Sequence, residues 1–353
     1  MKYRRALIQV TRYTICALLF IYLFEKMDGP DLRKALAAAL TRWPDLLIGT
    51  AFSFCGLFAG VIRWHRLLHG YTIPLPFKKV FKILFIGQFF NAFMPGSCGG
   101  DVVRAFYVTR ESKKGRRAEA ATTVIADRLI GLLTLMLWCS VVIVWRLKFF
   151  LNHPQTKIPG ILMLLFLAAA LCTALIFFRI HIFKKWSIFR HLEDTLRIGP
   201  IIRRAYETLY TLREKPALLC QAVFYSLVNM VFLTLACLYF GKAVGMQVAT
   251  HDYFTFFPII TVLASVPLTP GALGIREGLF EQMFSVVGAA ASNSILASLL
   301  VYFGGVICSL FGGIIFMLHT ASAGSTLKEE WARLKTESIR KNDSSTDTLS
   351  ENQ

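Results

Sequence analysis

Charged residues are scarce in this sequence: they make up 17% of its 353 residues, whereas hydrophobic residues make up 55%. An average soluble domain carries about 25% charged residues. The hydrophobic residues also occur in runs of about 20, which is the length that an α-helix needs to cross a bilayer. These features exclude a soluble globular protein and predict an all-α polytopic integral membrane protein.

Acidic residues are especially few, because 21 Asp and Glu stand against 39 Lys and Arg. The resulting net charge of +18 would suggest nucleic-acid binding in a soluble protein. Here most basic residues lie in short segments between apolar runs, as expected for cytoplasmic loops and for contact with anionic lipid headgroups. We therefore expect membrane lipid as a partner and no nucleic acid.

Sequence motifs of common enzymes and metal sites are also missing. The eight cysteines form no CxxC pair and lie almost all in apolar runs, so we interpret them as packing residues. No Walker A loop, HExxH or GxSxG motif occurs. His65 and His69 have the i, i+4 spacing of a metal-ligand pair, but no acidic residue lies nearby, and we prefer interfacial packing. We expect no catalytic residue, no metal and no cofactor.

Six apolar runs are long enough to be full spans, and they cover residues 7–24, 44–64, 119–145, 159–180, 216–240 and 292–318. No small-x-small cleavage site follows the first run, which favours an uncleaved span over a signal peptide. Residues 25–43 and 181–215 are predicted to form helices at the membrane surface. We assign residues 1–320 to the membrane domain and residues 321–353 to a disordered cytoplasmic tail.

Two further apolar segments, at about 80–110 and 253–288, are each interrupted by a P-G-x-x-G motif. Basic residues flank the first segment on both sides, which predicts that both its ends are cytoplasmic and that it forms a re-entrant helical hairpin. Few basic residues flank the second segment, which predicts a re-entrant hairpin entering from outside. The hairpin backbone residues are Pro95, Gly96, Gly99 and Gly100 in the first motif and Pro270, Gly271 and Gly274 in the second.

This topology places both termini in the cytoplasm and obeys the charge rule at every loop but one. The exception is the segment 146–158, which is predicted to lie outside although it contains Arg146, Lys148 and Lys157.

The two opposed hairpins each lie between full spans and indicate an inverted repeat with halves at about 44–145 and 216–318. Paired Gly/Pro-interrupted segments of this kind point to the binding site of a transporter. Irregular backbone at membrane depth must contact protein or a wet cavity, and the helix starts that follow can bind anions. We therefore predict a headgroup-binding cleft formed by Asn91, Asp101, Arg104, Asp127, Arg128, Arg276 and Glu277.

Two roles stay open for the charged residues of this cleft. In the first, Arg104 and Arg276 hold a lipid phosphate while Asp101 and Glu277 balance their charge. In the second, the same residues form ion pairs that only pin the hairpins. Asn91 is expected either to cap or coordinate at the interruption, or to form an interhelical hydrogen bond.

Three stretches resemble the signature regions of the flippase-like membrane domain family, which is the family of the transmembrane region of lysylphosphatidylglycerol synthase. They are NAFMPGSCGGDVVRAFYV at 91–108, ADRLIGLL at 126–133 and VPLTPGALGIREGLF at 266–280. The resemblance covers about residues 5–320 and implies a multi-pass protein of the cytoplasmic (inner) membrane with two re-entrant elements. Because no soluble aminoacyl-transfer domain follows, we expect no lysyl transfer and no enzyme activity from this chain.

The resemblance implies flippase-like translocation of a lipid, and the basic residues of the cleft favour a phospholipid or another phosphate-bearing lipid. The alternative is a membrane enzyme or accessory subunit in the synthesis of lipid-linked glycans or envelope lipids. That alternative would require a glycosyltransferase or lipid-synthesis enzyme as a partner.

Overall fold

The computed structural model of this chain describes residues 29–93, 99–179, 215–266, 269 and 272–318. Within these ranges the regular structure is helical, with a short 3₁₀ turn at Lys114–Arg116. The α-helices are α1 (Gly29–Thr41), α2 (Trp43–Gly70), α3 (Phe77–Phe93), α4 (Gly99–Glu111), α5 (Arg117–Trp145), α6 (Leu147–Asn152), α7 (Pro154–Arg179), α8 (Pro216–Ala243), α9 (Thr250–Ala264), α10 (Ile275–Ser285) and α11 (Ala291–Leu318).

Four of these helices, α2, α5, α8 and α11, are long and apolar enough to cross a membrane. A shorter apolar stretch covers Pro154–Ala169, and α7 continues from it to Arg179. The predicted all-helical membrane protein is therefore confirmed, whereas the number of six spans stays a prediction. The predicted span at 7–24, most of the predicted surface segment 181–215 and the tail at 321–353 lie outside the described residues.

Helix α2 is longer than its predicted span, which ended at residue 64. It continues because Val61, Trp64 and Leu68 follow the helical spacing, and all three side chains are fully buried. Arg63 lay at the end of the predicted span, and this continuation places it well inside α2.

Helices α2 and α8 pack against each other in opposite directions along most of their length. At one end Lys215 Nζ donates to the Gly70 carbonyl oxygen at 2.6 Å. At the other end Arg42 Nη1 donates to the Lys242 carbonyl oxygen at 2.9 Å. We call the end of the helix bundle near Gly70 the first end, and the end near Arg42 the second end.

Helices α3 and α4 form an antiparallel pair that is open toward the first end. Lys79 Nζ lies 2.5 Å from Glu111 Oε2 where the pair opens. Near the interruption, the Gly100 backbone N–H donates to Asn91 Oδ1 at 2.8 Å. Asn91 therefore forms an interhelical hydrogen bond and satisfies a free donor at the start of α4.

Helices α9 and α10 form a second antiparallel pair, which is open toward the second end. Tyr253 packs against Phe284 with ring centroids 5.2 Å apart, and Phe257 packs against Phe280 at 6.3 Å. α9 begins beside the end of α5, where Asp252 forms an ion pair with Arg146 (Oδ1 to Nη1, 2.5 Å). The two helix pairs therefore open toward opposite ends of the bundle.

The ion pair of Arg146 with Asp252 also bears on the exception to the charge rule. Asp252 lies on the partner helix α9, so it neutralises one of the three basic residues that follow α5. The charge rule counts only the residues within a loop. It therefore misses Asp252, which is more than 100 residues away in the sequence.

Only part of each P-G-x-x-G motif lies in the described residues. Gly99 and Gly100 begin α4, and Gly274 precedes α10 with a φ of +86°. Ala272 also has a positive φ, at +57°, so the chain makes a tight left-handed turn before α10. Of the predicted hairpin backbone residues, Pro95, Gly96, Pro270 and Gly271 lie outside the described residues.

The closest contact between α3 and α4 requires glycine. A Cβ atom added at Gly100 would lie 1.8 Å from the Gly87 carbonyl oxygen, whereas a Cβ added at Gly278 in α10 would meet no atom within 4 Å. We expect Gly100→Ala to reduce the free energy of unfolding by about 1–3 kcal/mol, because the backbones must separate. Gly278→Ala is the matched control and should be neutral or stabilising by up to about 1 kcal/mol.

Thermal unfolding of the purified variants in detergent checks this expectation. Equal midpoints for Gly100→Ala and Gly278→Ala would show that α3 and α4 do not approach as closely as described.

Candidate functional site

The structure brings together four of the predicted cleft residues and adds a fifth. Arg104 Nη2 donates to Asp127 Oδ2 at 3.0 Å, and its Nη1 lies 3.4 Å from Asp101 Oδ1. Arg128 Nε donates to Asp101 Oδ2 at 2.6 Å. Arg63 Nε donates to Asp127 Oδ1 at 2.7 Å. We call these five residues the arginine–aspartate cluster.

Helical geometry explains how α4 and α5 supply these groups. Asp101 and Arg104 are three residues apart in α4 and therefore share one face of the helix. Asp127 and Arg128 are neighbours in α5 and cannot share a face, so the sequence predicts different partners for them. The structure confirms this, because Asp127 contacts two arginines while Arg128 contacts Asp101.

The centre of the cluster is buried. The Asp127 side chain is 3% exposed, and a carboxylate at such a position must be paired. The guanidinium of Arg104 lies over Trp64, with its Cζ 4.3 Å from the ring centroid. Its Nε is buried and has no hydrogen-bond partner among the described residues. The indole of Trp64 is itself held by a hydrogen bond to Thr123 Oγ1 at 3.2 Å.

The cluster carries more positive than negative charge. It contains three arginines and two aspartates, which gives a formal excess of one positive charge. The Arg128 side chain is 53% exposed, so the excess charge is accessible at that side of the cluster. The arrangement can therefore accept an anion without first breaking its buried ion pairs.

Arg63 is the member that the sequence did not identify. Besides Asp127 it contacts Ser226, whose Oγ accepts a hydrogen bond from Arg63 Nη1 at 2.9 Å. Arg63 therefore joins α2, α5 and α8 at one point. A sequence signal for a helical, partly buried Arg63 was available. The apolar residues on either side of it keep helical spacing beyond residue 64, where the predicted span ended.

Arg276 and Glu277 form a separate group at the start of α10. Glu277 is fully buried, and its Oε2 accepts a hydrogen bond from the Gly274 backbone N–H at 2.6 Å. Its Oε1 accepts from Arg276 Nη2 at 2.6 Å and from Ser298 Oγ at 3.0 Å. Both carboxylate oxygens are therefore occupied within the protein. These contacts favour the second of the two roles, in which the charges pin the hairpin.

The arginine–aspartate cluster and the group at Arg276 and Glu277 have separate hydrogen-bond partners in the part of the chain that the structure describes. No hydrogen bond, ion pair or cation–π contact described there joins the arginine–aspartate cluster to Arg276 or Glu277. The charged residues predicted for the cleft therefore belong to two contact groups, one at α4 and α5 and one at the start of α10, and their meeting in one cleft stays a prediction.

The histidine pair forms a hydrogen bond, with His65 Nε2 and His69 Nε2 3.0 Å apart. Within the described residues, no group of three His, Cys, Asp or Glu side chains is arranged to hold a metal ion.

Comparison with known proteins gives concordant matches over most of the chain. The sequence model of the family described as "Lysylphosphatidylglycerol synthase TM region" matches residues 9–312. A UPF0104 membrane protein of Pyrococcus horikoshii is 25% identical over 279 residues, which are 72% of this chain and 81% of that protein. A UPF0104 membrane protein of Methanothermobacter thermautotrophicus is 20% identical over 266 residues, which are 72% of this chain and 78% of that protein.

Asp127 is expected to hold the arginine–aspartate cluster together. Replacing it by asparagine leaves Arg63 and Arg104 buried without their shared counter-ion, and loss of one partner of a buried pair costs about 3–5 kcal/mol. The control is Glu111→Gln, which removes a carboxylate from the exposed pair with Lys79 and should cost about 1 kcal/mol or less. Thermal unfolding in detergent measures both changes.

A double variant separates charge from packing. Arg63→Gln combined with Asp127→Asn should lose less stability than the sum of the two single changes, because one unpaired cation is removed with its partner. Strict additivity, or a single Asp127→Asn change no larger than Glu111→Gln, would contradict the assignment.

Proposed function

This chain belongs to the family of the lysylphosphatidylglycerol synthase transmembrane region, and on that premise we propose that it moves a lipid with a phosphate-bearing headgroup across the membrane. The supporting observation is the accessible positive charge of the arginine–aspartate cluster. A phosphodiester carries one negative charge, which matches the formal excess of one positive charge. Guanidinium groups bind phosphate through paired hydrogen bonds, which favours arginine for this role.

Access to the cluster is supplied by Arg128. Its guanidinium is half-exposed and, among the described residues, forms one ion pair, with Asp101, whereas Arg63 and Arg104 are both bonded to the buried Asp127. We assign the first contact with the phosphate to Arg128, with Asp101 released as the phosphate takes its place. The buried ion pairs then keep α2, α4 and α5 in position while the headgroup is bound.

The depth of the cluster supports passage through the membrane. Asp127 lies ten residues after the start of α5 at Arg117, which corresponds to about 15 Å along the helix. Charges at such a depth are costly unless they are paired or hydrated, and in membrane proteins they mark the pathways of ions and substrates. In this mechanism the headgroup crosses along the polar residues while the acyl chains stay in the lipid.

The order of the helices supports an inverted repeat with halves at about 44–145 and 216–318. The helices α2, α3, α4 and α5 begin at residues 43, 77, 99 and 117, while α8, α9, α10 and α11 begin at 216, 250, 275 and 291. The interval between counterparts is nearly constant. The counterparts α2 and α8 run antiparallel, and the two interrupted helix pairs open toward opposite ends, as in transporters with inverted repeats.

We therefore propose that α3–α4 and α9–α10 are re-entrant hairpins in a cytoplasmic membrane, with the first end of the bundle on the cytoplasmic side. The basic residues around α3 and the start of α5 support this orientation. Arg276 and Glu277 hold the second hairpin, and Arg128, beside the first hairpin, receives the headgroup.

Transport is tested by reconstituting the protein in liposomes that contain fluorescent NBD-labelled phosphatidylglycerol. We expect faster loss of leaflet asymmetry than in protein-free liposomes, and at least about a tenfold reduction in rate for Arg128→Gln, since a charge-assisted hydrogen bond contributes about 1.5–3 kcal/mol. The control is Arg110→Gln, which removes an equal charge from the exposed end of α4. Rates equal to those of protein-free liposomes, or equally slow transport by both variants, would refute the proposal.

The hairpin topology is tested separately by single cysteines in a cysteine-free background. Positions 78 and 113, both exposed lysines on either side of the first hairpin, should react with an impermeant maleimide from the same side of sealed vesicles. Gln247, exposed between α8 and α9, should react from the opposite side. Reaction of positions 78 and 113 from opposite sides would mean that the segment crosses the membrane.

A further inference from the structure

An apolar groove lies at the second end of the bundle, far from the arginine–aspartate cluster. It is formed between the end of α5 and the start of α9, and its volume is about 580 Å³. Its walls include Trp138, Val141 and Trp145 from α5 and Phe254 from α9. The volume is within the range of about 300–1,000 Å³ that is typical of sites for small ligands.

The groove is open along the outer face of α5. Val141, which lines it, is 66% exposed, and Trp145 at its end is 77% exposed. Deeper in the groove, Trp138 is fixed by a hydrogen bond from its Nε1 to the Phe254 carbonyl oxygen at 3.4 Å. In a helix that crosses a membrane, such an open apolar wall is in contact with acyl chains, and tryptophans with a polar neighbour are typical of the membrane interface.

Polar and basic groups lie at one end of this groove. Arg146 follows Trp145 directly and is held by Asp252 and by Thr255 Oγ1, the latter at 3.0 Å. His251, which lines the groove, is exposed and lies 3.5 Å from Asp252. Lys148 is exposed two residues beyond Arg146, so among the described residues named at this end the basic groups outnumber the one carboxylate, that of Asp252.

An apolar wall that ends at basic side chains matches the shape of a phospholipid, which has an acyl chain and an anionic headgroup. We propose that this groove binds one acyl chain of an anionic phospholipid, with the phosphate beside Arg146 and His251. No other described part of the chain covers Val141 or Trp145, whose exposure is given above. The headgroup contact uses donors of Arg146 that remain beside its bonds to Asp252 and Thr255.

The position of the groove on α5 connects it to the proposed transport. Asp127 and Trp145 are 18 residues apart on one continuous helix, or about 27 Å, so the groove lies toward the opposite side of the membrane from the start of α5. One point of this inference rests on the proposed function. It is that a lipid leaving the arginine–aspartate cluster next binds the groove in the other leaflet. Occupancy of the groove itself can be tested without transport.

The test uses the full-length protein in liposomes that contain phosphatidylglycerol with a photoactivatable diazirine at the end of one acyl chain. After irradiation, mass spectrometry should find the label on the groove peptides at Trp138–Val142 and around Phe254, and less on the lipid-facing residues Ile161 and Leu165 of α7. Val141→Trp fills the groove and should reduce this labelling at least about fivefold. The matched control is Val144→Trp, at an equally exposed position (66%) of the same helix that does not line the groove, and labelling should be unchanged.

The headgroup part of the inference is tested with a second probe. A photoactivatable diacylglycerol, which has the same chains and no phosphate, should label the groove several-fold less than the phosphatidylglycerol probe. His251→Gln, at an exposed position, should narrow that difference. Equal labelling by both probes would refute the headgroup contact.

Two other results would overturn the groove assignment. Labelling spread evenly over α5 and α7, and equally reduced by both tryptophan variants, would show only general contact with lipid. Protection of the groove peptides would show that another occupant, such as residues 7–24 or a second copy of the chain, covers them. If the groove is labelled as expected but liposomes show no transport, the proposed function fails while lipid binding stands.

Discussion

The carboxylate of Asp127 is the constraint on which the arrangement around the candidate site depends. One oxygen binds Arg63 and the other binds Arg104, so a single buried side chain joins α2, α4 and α5. Among the described ion pairs, Arg63 has no other carboxylate partner and Arg104 has only the longer contact with Asp101, so loss of Asp127 would leave both buried charges poorly compensated. The fixed pairs leave Arg128 as the accessible cation, and the capacity for an anion therefore follows from how the buried charges are satisfied.

The two interrupted helix pairs use similar sequence for different purposes. Each carries a P-G-x-x-G motif followed by an acid and a base. In the second pair, Glu277 accepts hydrogen bonds from the Gly274 N–H at the start of its own helix, from Arg276 and from Ser298. Both oxygens of this carboxylate are therefore bonded within the protein. In the first pair, Asp101 and Arg104 face α5, which brings its own acid and base. The two helix pairs therefore use similar charged residues in different ways, one for the start of its own helix and one for contact with a neighbouring helix.

The helical class and the positions of the long helices followed from local sequence. Apolar run length identifies the long helices, and the neighbouring positions of Asp127 and Arg128 indicate different partners for each. Arg63 was missed because its role depends on the packing of α2 against α5 and α8, and a basic residue near the end of a span looks like a loop charge. The sequence also did not separate the ion pairs of α4 and α5 from those at the start of α10, because spacing along the chain does not identify the partner of each charge.

The contact between Gly87 and Gly100 also limits how this sequence can change over evolutionary time. A side chain that is too large can often turn to another rotamer, but here the obstacle to an added methyl group is a backbone carbonyl. Gly87 also leaves the space that the stem of Arg104 fills, since a Cβ there would lie 2.4 Å from Arg104 Cγ. Substitution at either glycine would move the helix that carries Arg104 away from Asp127. Selection that maintains the ion pair of Arg104 with Asp127 therefore also maintains glycine at positions 87 and 100, although neither glycine carries a charge.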